Sequence, residues 1–265
     1  MFKPKSNAGV EHFRGFGAFS ALFFIYLYAP IVILVIYSFN ANISTTVWTG
    51  FSLDWYRAAF ANEGLRGAAI NSVIIALTAG GLSTVIATLA ALATSRRAQW
   101  RGKTGTFGTI MLPLLLPEIV IGVALLTFFT NFGLSLGRGN LMIAHVVFCI
   151  PFSYLPIRAR LDGMDDSLEQ AAMDLYSNEW RTFYRVTLPI LLPGIVSGAM
   201  LAFIVSMDNF IISLLVAEAG SSTLPIFIFG MVRMGVTPEV NAVSTVILFV
   251  SVAIFSLAHF IGFKR

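Results

Sequence analysis

Long, uninterrupted apolar segments constrain this chain more than any other feature. Six of them reach the length of about 20 mostly apolar residues that a helix needs to cross about 30 Å of hydrocarbon. Only 11% of the 265 residues are charged, whereas soluble domains carry about 25%. Because backbone groups in lipid need internal hydrogen bonds, helices are predicted. We therefore expect an all-α membrane protein, a single transmembrane domain over residues 1–265 with spans at residues 16–39, 68–94, 107–132, 140–157, 190–217 and 241–263.

The distribution of Lys and Arg predicts how these spans are oriented. Cytoplasmic segments carry an excess of basic residues, and this condition is met if the N-terminus faces the cytoplasm. The inner side then holds Lys3, Lys5, Arg14, Arg96, Arg97, Arg101, Lys103, Arg158, Arg160, Arg181, Arg185, Lys264 and Arg265. The outer side keeps Arg57, Arg66, Arg138 and Arg233. A multi-pass inner-membrane protein with both termini cytoplasmic is predicted. The net charge of +4 follows from the same bias, so no nucleic-acid partner is expected.

One polar segment, residues 158–189, stands out on the predicted cytoplasmic side. Its spacing predicts an amphipathic helix from Arg158 to Leu175, with three- and four-residue steps grouping Ala171, Ala172 and Leu175 on one face. Adjacent alanines permit close approach by another surface. A second short helix is expected, capped by one of two polar residues, Ser177 or Asn178. The segment is therefore predicted to be a docking element for a cytoplasmic partner.

Two acidic residues lie in or beside apolar segments. Glu118 follows Pro117 in the third span, and Asp208 lies in "LAFIVSMDNFIISLLV". A charged Asp at a helix centre costs about 2.5–3.5 kcal/mol on insertion scales. Such residues mark a pathway, a counter-charge for a ligand or a partner on another helix. His145, alone in the fourth span, is interpreted as packed against or hydrogen-bonded to a neighbouring helix.

The prolines and the "GKT" tripeptide allow further interpretations. Proline pairs in three spans either shape the helices or break them along a pathway. "GKT" at residues 102–104 lacks the Gly that a phosphate-binding loop needs five positions earlier, where Arg97 stands. The chain is therefore not expected to bind ATP in that way by itself.

The polar segment resembles the cytoplasmic loop of permease subunits of bacterial ATP-binding-cassette importers. That family carries Glu-Ala-Ala, then a Gly, then Ile-x-Leu-Pro, and "QAAMDLY" and "VTLP" fall at the matching spacing. Gln170 stands where the family has Glu, although Glu169 adjoins it, and Tyr176 stands where the family has Gly. "YLYAPIVILVIYSFN", "GFSLDWYRAAF", "VSMDNFIISLLV" and "LPIFIFGMVRMGVTPEVNAVSTVI" are similar to the permeases of spermidine/putrescine importers. Asn209 replaces that family's second acid.

The resemblance implies a six-helix permease of the type I importer kind and a specific set of partners. These partners are a second permease subunit, two ATP-binding subunits that hold ATP and Mg²⁺, and a periplasmic solute-binding protein. This chain itself is expected to hold no cofactor and to have no enzymatic activity. The transported solute is expected to be a small cation such as a polyamine, with another organic solute as the alternative. The pathway residues are Glu118, Asp208 and Asn209. The ATPase-coupling residues are Glu169, Gln170, Ala171, Ala172, Asp174 and Leu175.

Two other functional classes stay open at this point. A secondary transporter would use Asp208 or Glu118 as a proton relay, and its transport would respond to an uncoupler rather than to ATP depletion. An intramembrane enzyme would need Glu118, Asp208 and His145 within hydrogen-bond reach of each other.

Overall fold

The computed structural model describes residues 16–44, 47–95, 102–235 and 237–262. Within these ranges the only β-structure is an isolated bridge between Asn40 and Phe51. The all-α prediction is therefore confirmed. Several basic residues used in the orientation argument lie outside the described residues, namely Lys3, Lys5, Arg14, Arg96, Arg97, Arg101, Lys264 and Arg265.

The described residues form a succession of helices joined mostly by short connections. In chain order these are α1 (Phe16–Tyr37), α2 (Asp54–Ala61), α3 (Glu63–Ser95), α4 (Lys103–Leu115), α5 (Glu118–Asn131), α6 (Arg138–Asp162), α7 (Ser167–Asp174), α8 (Glu179–Thr182), a π-helical turn (Phe183–Thr187), α9 (Leu188–Asp208), α10 (Ile211–Val216), α11 (Leu224–Met234) and α12 (Pro238–Gly262).

Four helical segments of the described chain are long and apolar enough to cross a membrane. They correspond to the first, second, fourth and fifth predicted spans, with different end points. These segments are Phe16–Tyr37, Glu63–Ser95, Arg138–Asp162 and Glu179–Asp208. The bent pair α4–α5 adds a fifth span if it is counted as one. The sixth predicted span lies on α12, whose apolar described part, Pro238–Ala253, is shorter. The count of six is therefore not fully confirmed.

The third predicted span is not one continuous helix. It divides into α4 and α5, whose axes differ by 110°. Leu116 between them is extended, with φ −94° and ψ 147°. The residue before a proline is driven out of the helical region by the proline ring, and Pro117 follows directly. Of the two interpretations of the proline pairs, shaping or breaking the helices, the second therefore applies in the span over residues 107–132, because Pro117 starts a new helix instead of only kinking the old one.

The fifth predicted span, residues 190–217, is wrong at both ends. The helix starts at Glu179 and continues through the π-helical turn into α9 without interruption. A proline ring collides with the carbonyl group four residues earlier. The wider π-helical turn, Phe183–Thr187, lies just before Pro189 and relieves that collision. At the other end, α9 stops at Asp208, because Asn209 is extended with ψ 111°.

The predicted amphipathic helix from Arg158 to Leu175 is also corrected. Residues up to Asp162 belong to α6, and α7 begins only at Ser167. The Arg158 guanidinium lies 4.6 Å from the Phe107 ring centroid and 3.3 Å from the Asp162 carboxylate. These contacts favour the continuation of α6 beyond the apolar residues, which a hydrophobic pattern alone does not reveal.

Packing divides the chain into two units. The first contains the described residues of Met1–Ala61 and Met231–Arg265. In it α12 packs against α1 and α2, while α1 itself has no buried residue. The loop after α1 is organised by buried Asn40, whose side-chain amide donates to the carbonyl groups of Ser44 and Val47 at 3.0 and 2.7 Å.

The second unit, Asn62–Gly230, is built on the mutual packing of α3, α6 and α9. Gly194, Gly198 and Ala202 recur every four residues along α9, and all three are buried. A Cβ atom at Gly198 would lie 2.7 Å from the Ser153 carbonyl oxygen on α6. Small residues at this spacing allow two helix backbones to approach closely, so they position α9 against α6.

Replacing Gly198 with alanine is expected to destabilise the protein. The new Cβ meets a backbone oxygen, which cannot rotate away, and overpacking costs about 1–3 kcal/mol. Alanine restores about 1 kcal/mol of helix propensity, so the net loss should be about 1 kcal/mol and at most about 2 kcal/mol. Gly108→Ala is the matched control, because nothing lies within 4 Å of a Cβ atom there. The thermal midpoint in detergent should fall for Gly198→Ala and stay level or rise for Gly108→Ala. Equal midpoints for the two variants would contradict the close-packing argument.

Candidate functional site

Two helix breaks meet at the candidate pathway site. Glu118 is the first residue of α5, and Asp208 is the last residue of α9. Buried Asn209 lies in the second break, and its side-chain amide donates a hydrogen bond to the Glu118 carboxylate. The side-chain oxygen of Asn209 accepts from the backbone N–H groups of Ile212 and Ser213 at 3.1 and 3.4 Å, which caps α10. The structure thus brings together all three predicted pathway residues.

The electrostatics of this site favour a cation. Asp208 is exposed, Glu118 is half-buried, and the Asp208 charge acts on Glu118 through space. The C-terminal end of a helix carries partial negative charge, and α9 ends at Asp208. The N-termini of α5 and α10 at the same breaks carry partial positive charge and offset the contribution of the α9 C-terminus. The two carboxylates therefore provide the negative charge that attracts a cation.

His145 does not join the two acids. Its ring is 2% exposed, and its nitrogens bond the hydroxyl groups of Ser206 and Ser213 at 2.7 and 2.9 Å. The interpretation of His145 as a residue hydrogen-bonded to neighbouring helices is confirmed. The intramembrane-enzyme alternative required direct contact with Glu118 and Asp208, and the ring nitrogens are already occupied by the two serines.

The predicted docking helix is α7, followed by a turn and α8. Asp165, just before α7, accepts from the Ser167 N–H at 2.9 Å, and its hydrogen bonds with Ser167 lower the pKa of the Asp165 carboxyl. Asn178 caps α8 by accepting from the Arg181 N–H at 2.8 Å. Of the two predicted caps, Asn178 is therefore the one that is used.

The predicted coupling residues divide between two orientations. Ala171, Asp174 and Leu175 are exposed, and exposed Gln170 lines an open groove. Glu169 and Ala172 are half-buried. The hydroxyl of Thr187, in the π-helical turn, donates to the Glu169 carboxylate. Glu169 therefore ties α7 to the base of α9, while the other residues are free to meet a partner.

Tyr176 adopts the backbone that glycine would favour at this position. Its φ is +60°, and no other non-glycine residue of the described chain has a positive φ. The Tyr176 N–H bonds the Met173 carbonyl at 2.9 Å, and the Ser177 N–H bonds the Ala172 carbonyl at 3.1 Å. This pair of bonds is the Schellman ending of a helix, which usually places Gly at the left-handed position. The family's turn is therefore retained despite the substitution.

Tyr176→Gly is expected to stabilise the turn. The left-handed conformation costs a non-glycine residue roughly 1–2 kcal/mol, and glycine removes this cost while adding unfolded-chain entropy of about 0.4–1 kcal/mol. The net gain should therefore be about 1 kcal/mol. Hydrogen exchange of the amides of residues 175–178 should slow several-fold in the variant. Tyr176→Ala is the control, because it shortens the side chain but keeps the strained backbone. Faster exchange in the glycine variant would contradict the expectation.

An exposed apolar surface extends beyond the residues that the sequence singled out. Tyr176 is 98% exposed and Leu175 82%. Trp180 and Tyr184 are 72% and 60% exposed, and their rings stack with centroids 6.4 Å apart. We call these four residues the docking surface. Two aromatic residues four positions apart in a polar segment are the signal by which the sequence could have identified Trp180 and Tyr184. Exposed aromatic groups of this kind mark interaction sites.

Membrane-length helices and an all-helical fold define a multi-pass membrane protein. Residues 83–263 match the family described as binding-protein-dependent transport system inner membrane component. The chain belongs to this family.

Relatives and a solved structure agree with this assignment. The chain is 41% identical to the spermidine/putrescine transport system permease protein PotC of Haemophilus influenzae, over 94% of this chain and 96% of the relative. It is 40% identical to the putrescine transport system permease protein PotI of Escherichia coli K12, over 85% and 82%. The crystal structure of a bacterial ABC transporter involved in import of the acidic polysaccharide alginate shares the fold, with TM-score 0.72, 13% identity and 92% and 93% coverage. The predicted permease class is confirmed.

Proposed function

We propose that the chain is a permease subunit that imports a polyamine of the putrescine or spermidine class. The observation that carries the proposal is the meeting of Glu118 and Asp208 at two helix breaks. Broken helices form the solute sites of many transporters. A polyamine is a flexible chain with several ammonium groups, so two carboxylates separated by a neutral amide suit it. The names of the relatives support the same class of solute.

Asn209 has a supporting role in this proposal. It stands where related permeases carry a second acid, yet its amide is directed at Glu118 and its oxygen caps α10. The amide therefore holds one carboxylate in place without adding a charge. Two carboxylates, Glu118 and Asp208, remain to meet the solute, and this arrangement suits a small polyamine better than a neutral organic solute.

The energy for transport comes, in this proposal, from partner subunits. Two ATP-binding subunits bind ATP and Mg²⁺ and contact the docking surface and α7. A periplasmic binding protein delivers the solute, and a second permease subunit completes the path. These assignments follow the importer family and the distribution of the basic residues, which supports a cytoplasmic position for α7 and both termini. A cysteine introduced at exposed Leu136, on the proposed outer side and away from the docking surface, should react with a membrane-impermeant reagent in intact cells.

One continuous helix provides the mechanical connection. The segment Glu179–Asp208 has 30 residues, which corresponds to roughly 45 Å at the α-helical rise. It begins at the docking surface and ends at the acidic pair. The Glu169–Thr187 hydrogen bond joins α7 to this helix near its base. Movement of α7 by a closing ATPase dimer is thereby transmitted to Asp208, where it changes the access of the solute to either side.

Uptake into proteoliposomes tests the proposal. The complete transporter is reconstituted with ATP inside, and uptake of radiolabelled putrescine or spermidine is started by adding the loaded binding protein. Uptake should require both ATP and the binding protein, and an uncoupler should have no effect. Uptake that continues without ATP but stops with an uncoupler would instead identify a secondary transporter. Calorimetry on the cognate binding protein should detect a polyamine; failure to bind one would reject the proposed solute.

A further inference from the structure

A buried histidine connects the two sides of the α9–α10 break. His145 lies on α6, in the packed core of its unit, and is 2% exposed. Its Nδ1 lies 2.7 Å from Ser206 Oγ, and its Nε2 lies 2.9 Å from Ser213 Oγ. Ser206 precedes the break and Ser213 follows it. One ring therefore fixes both helical segments relative to α6.

The directions of these hydrogen bonds follow from one carbonyl group. The Ser213 hydroxyl donates its single proton to the Asn209 carbonyl oxygen at 2.8 Å, because a carbonyl oxygen can only accept. Ser213 Oγ must therefore accept from the Nε2–H of His145. In the neutral ring Nδ1 is then an acceptor, and it receives the Ser206 hydroxyl proton. Every polar atom of the imidazole ring has a partner in this arrangement.

The same chain of bonds extends to the acidic pair. Ser213 holds the Asn209 carbonyl group, and the backbone N–H groups of Ile212 and Ser213 hold the Asn209 side-chain oxygen. This leaves the Asn209 amide hydrogens directed at the Glu118 carboxylate. Asp208, the neighbour of Asn209 in sequence, is fixed by the same backbone. The position of both acids thus depends on contacts that begin at His145.

The geometry points to His145 as a positioning residue for the Glu118–Asp208 pair, acting through Ser213 and Asn209 without touching the solute. The inference rests on the proposed function, which places that pair on the solute path. Binding groups work well only when neighbouring residues hold them within a fraction of an ångström. A displaced pair should bind the solute less often, so that ATP is hydrolysed without cargo.

Two amide substitutions separate positioning from simple stability. In His145→Gln the side-chain amide reaches the place of Nε2 and still donates to Ser213. In His145→Asn the shorter amide reaches only the place of Nδ1, so it satisfies Ser206 and leaves Ser213 without its donor. Putrescine transported per ATP hydrolysed is measured in proteoliposomes holding equal amounts of assembled transporter. The ratio should stay within about twofold of wild type for Gln and fall roughly tenfold for Asn, as expected for a lost buried hydrogen bond.

Ser213→Ala provides a second test that does not alter the histidine. If His145 acts through Ser213, the double variant His145→Asn/Ser213→Ala should lose no more than the more impaired single variant, whereas independent sites add. Additive losses would overturn the inference, and so would equal ratios for the Gln and Asn variants. Glu118→Gln is the reference. If it lowers the ratio while His145→Asn does not, only the positioning role is rejected. If Glu118→Gln also leaves the ratio unchanged, the place of the Glu118–Asp208 pair on the solute path, which the proposed function assigns, is rejected together with the inference.

Discussion

Asp208→Asn should lower polyamine uptake by roughly 10- to 100-fold while the transporter assembles normally. Asp208 is exposed at the end of α9, where a cation can reach it. A hydrogen bond to a charged group contributes about 1.5–3 kcal/mol, and each 1.4 kcal/mol is about tenfold in an equilibrium constant. Asparagine keeps the shape and removes the charge. The measurement is initial uptake rate, normalised to the amount of permease in the membrane.

Glu118→Gln should show the same pattern more weakly. Asn209 already engages the Glu118 carboxylate, so part of its negative charge is compensated within the protein. Glu63→Gln is a matched control, because Glu63 is also the first residue of a helix and is exposed. Loss of its helix-dipole interaction, about 0.3–1 kcal/mol, should leave uptake unchanged.

Normal transport by Asp208→Asn would show that the Asp208 carboxylate does not contact the solute. Failure of that variant to accumulate would instead make it a structural partner.

Leu175→Asp should separate the permease from its ATPase. Leu175 is 82% exposed, so the substitution leaves the folding of the chain itself intact. Truncation of a central interface residue costs about 2 kcal/mol or more, and a buried unpaired charge adds to this cost. Binding should therefore weaken by roughly 30-fold or more. Co-purification of the ATPase with tagged permease, and ATPase activity stimulated by the binding protein, should both be lost.

Leu136→Asp is the control for placing a charge on an exposed leucine. Leu136 is 54% exposed and precedes α6, and the proposed orientation places it outside the cell. This variant should retain the ATPase at wild-type level. Retention of the ATPase by Leu175→Asp would reject the docking surface, and loss in both variants would indicate a general defect of insertion.

Gln170→Glu, which restores the family residue at an exposed position, should be tolerated.

The sequence was sufficient for features that depend on local composition. Hydrophobic length identifies membrane helices because the energetic cost of exposing backbone groups to lipid does not depend on the fold. The polar segment around α7 and the presence of a polar cap before α8 are also local, since they need only neighbouring side chains, although the choice of Asn178 over Ser177 came from the structure. The family's loop pattern was recognisable for the same reason. Local proline effects were harder to predict, since the sequence left open whether Pro117 shapes or breaks the third span, and the structure shows a break.

Only the tertiary structure decided how the functional residues meet. Glu118 and Asn209 are 91 residues apart in sequence and share a hydrogen bond, which requires the breaks of two different helices to be packed together. The close approach of α9 to α6 at Gly198, the orientation of Glu169 toward Thr187, and the His145 bridge depend equally on helix packing. Hydrophobic periodicity places residues on the face of one helix but does not specify which face meets which neighbour. That choice arises from the steric fit of small residues and from the satisfaction of buried polar groups, which exist only once the helices have assembled.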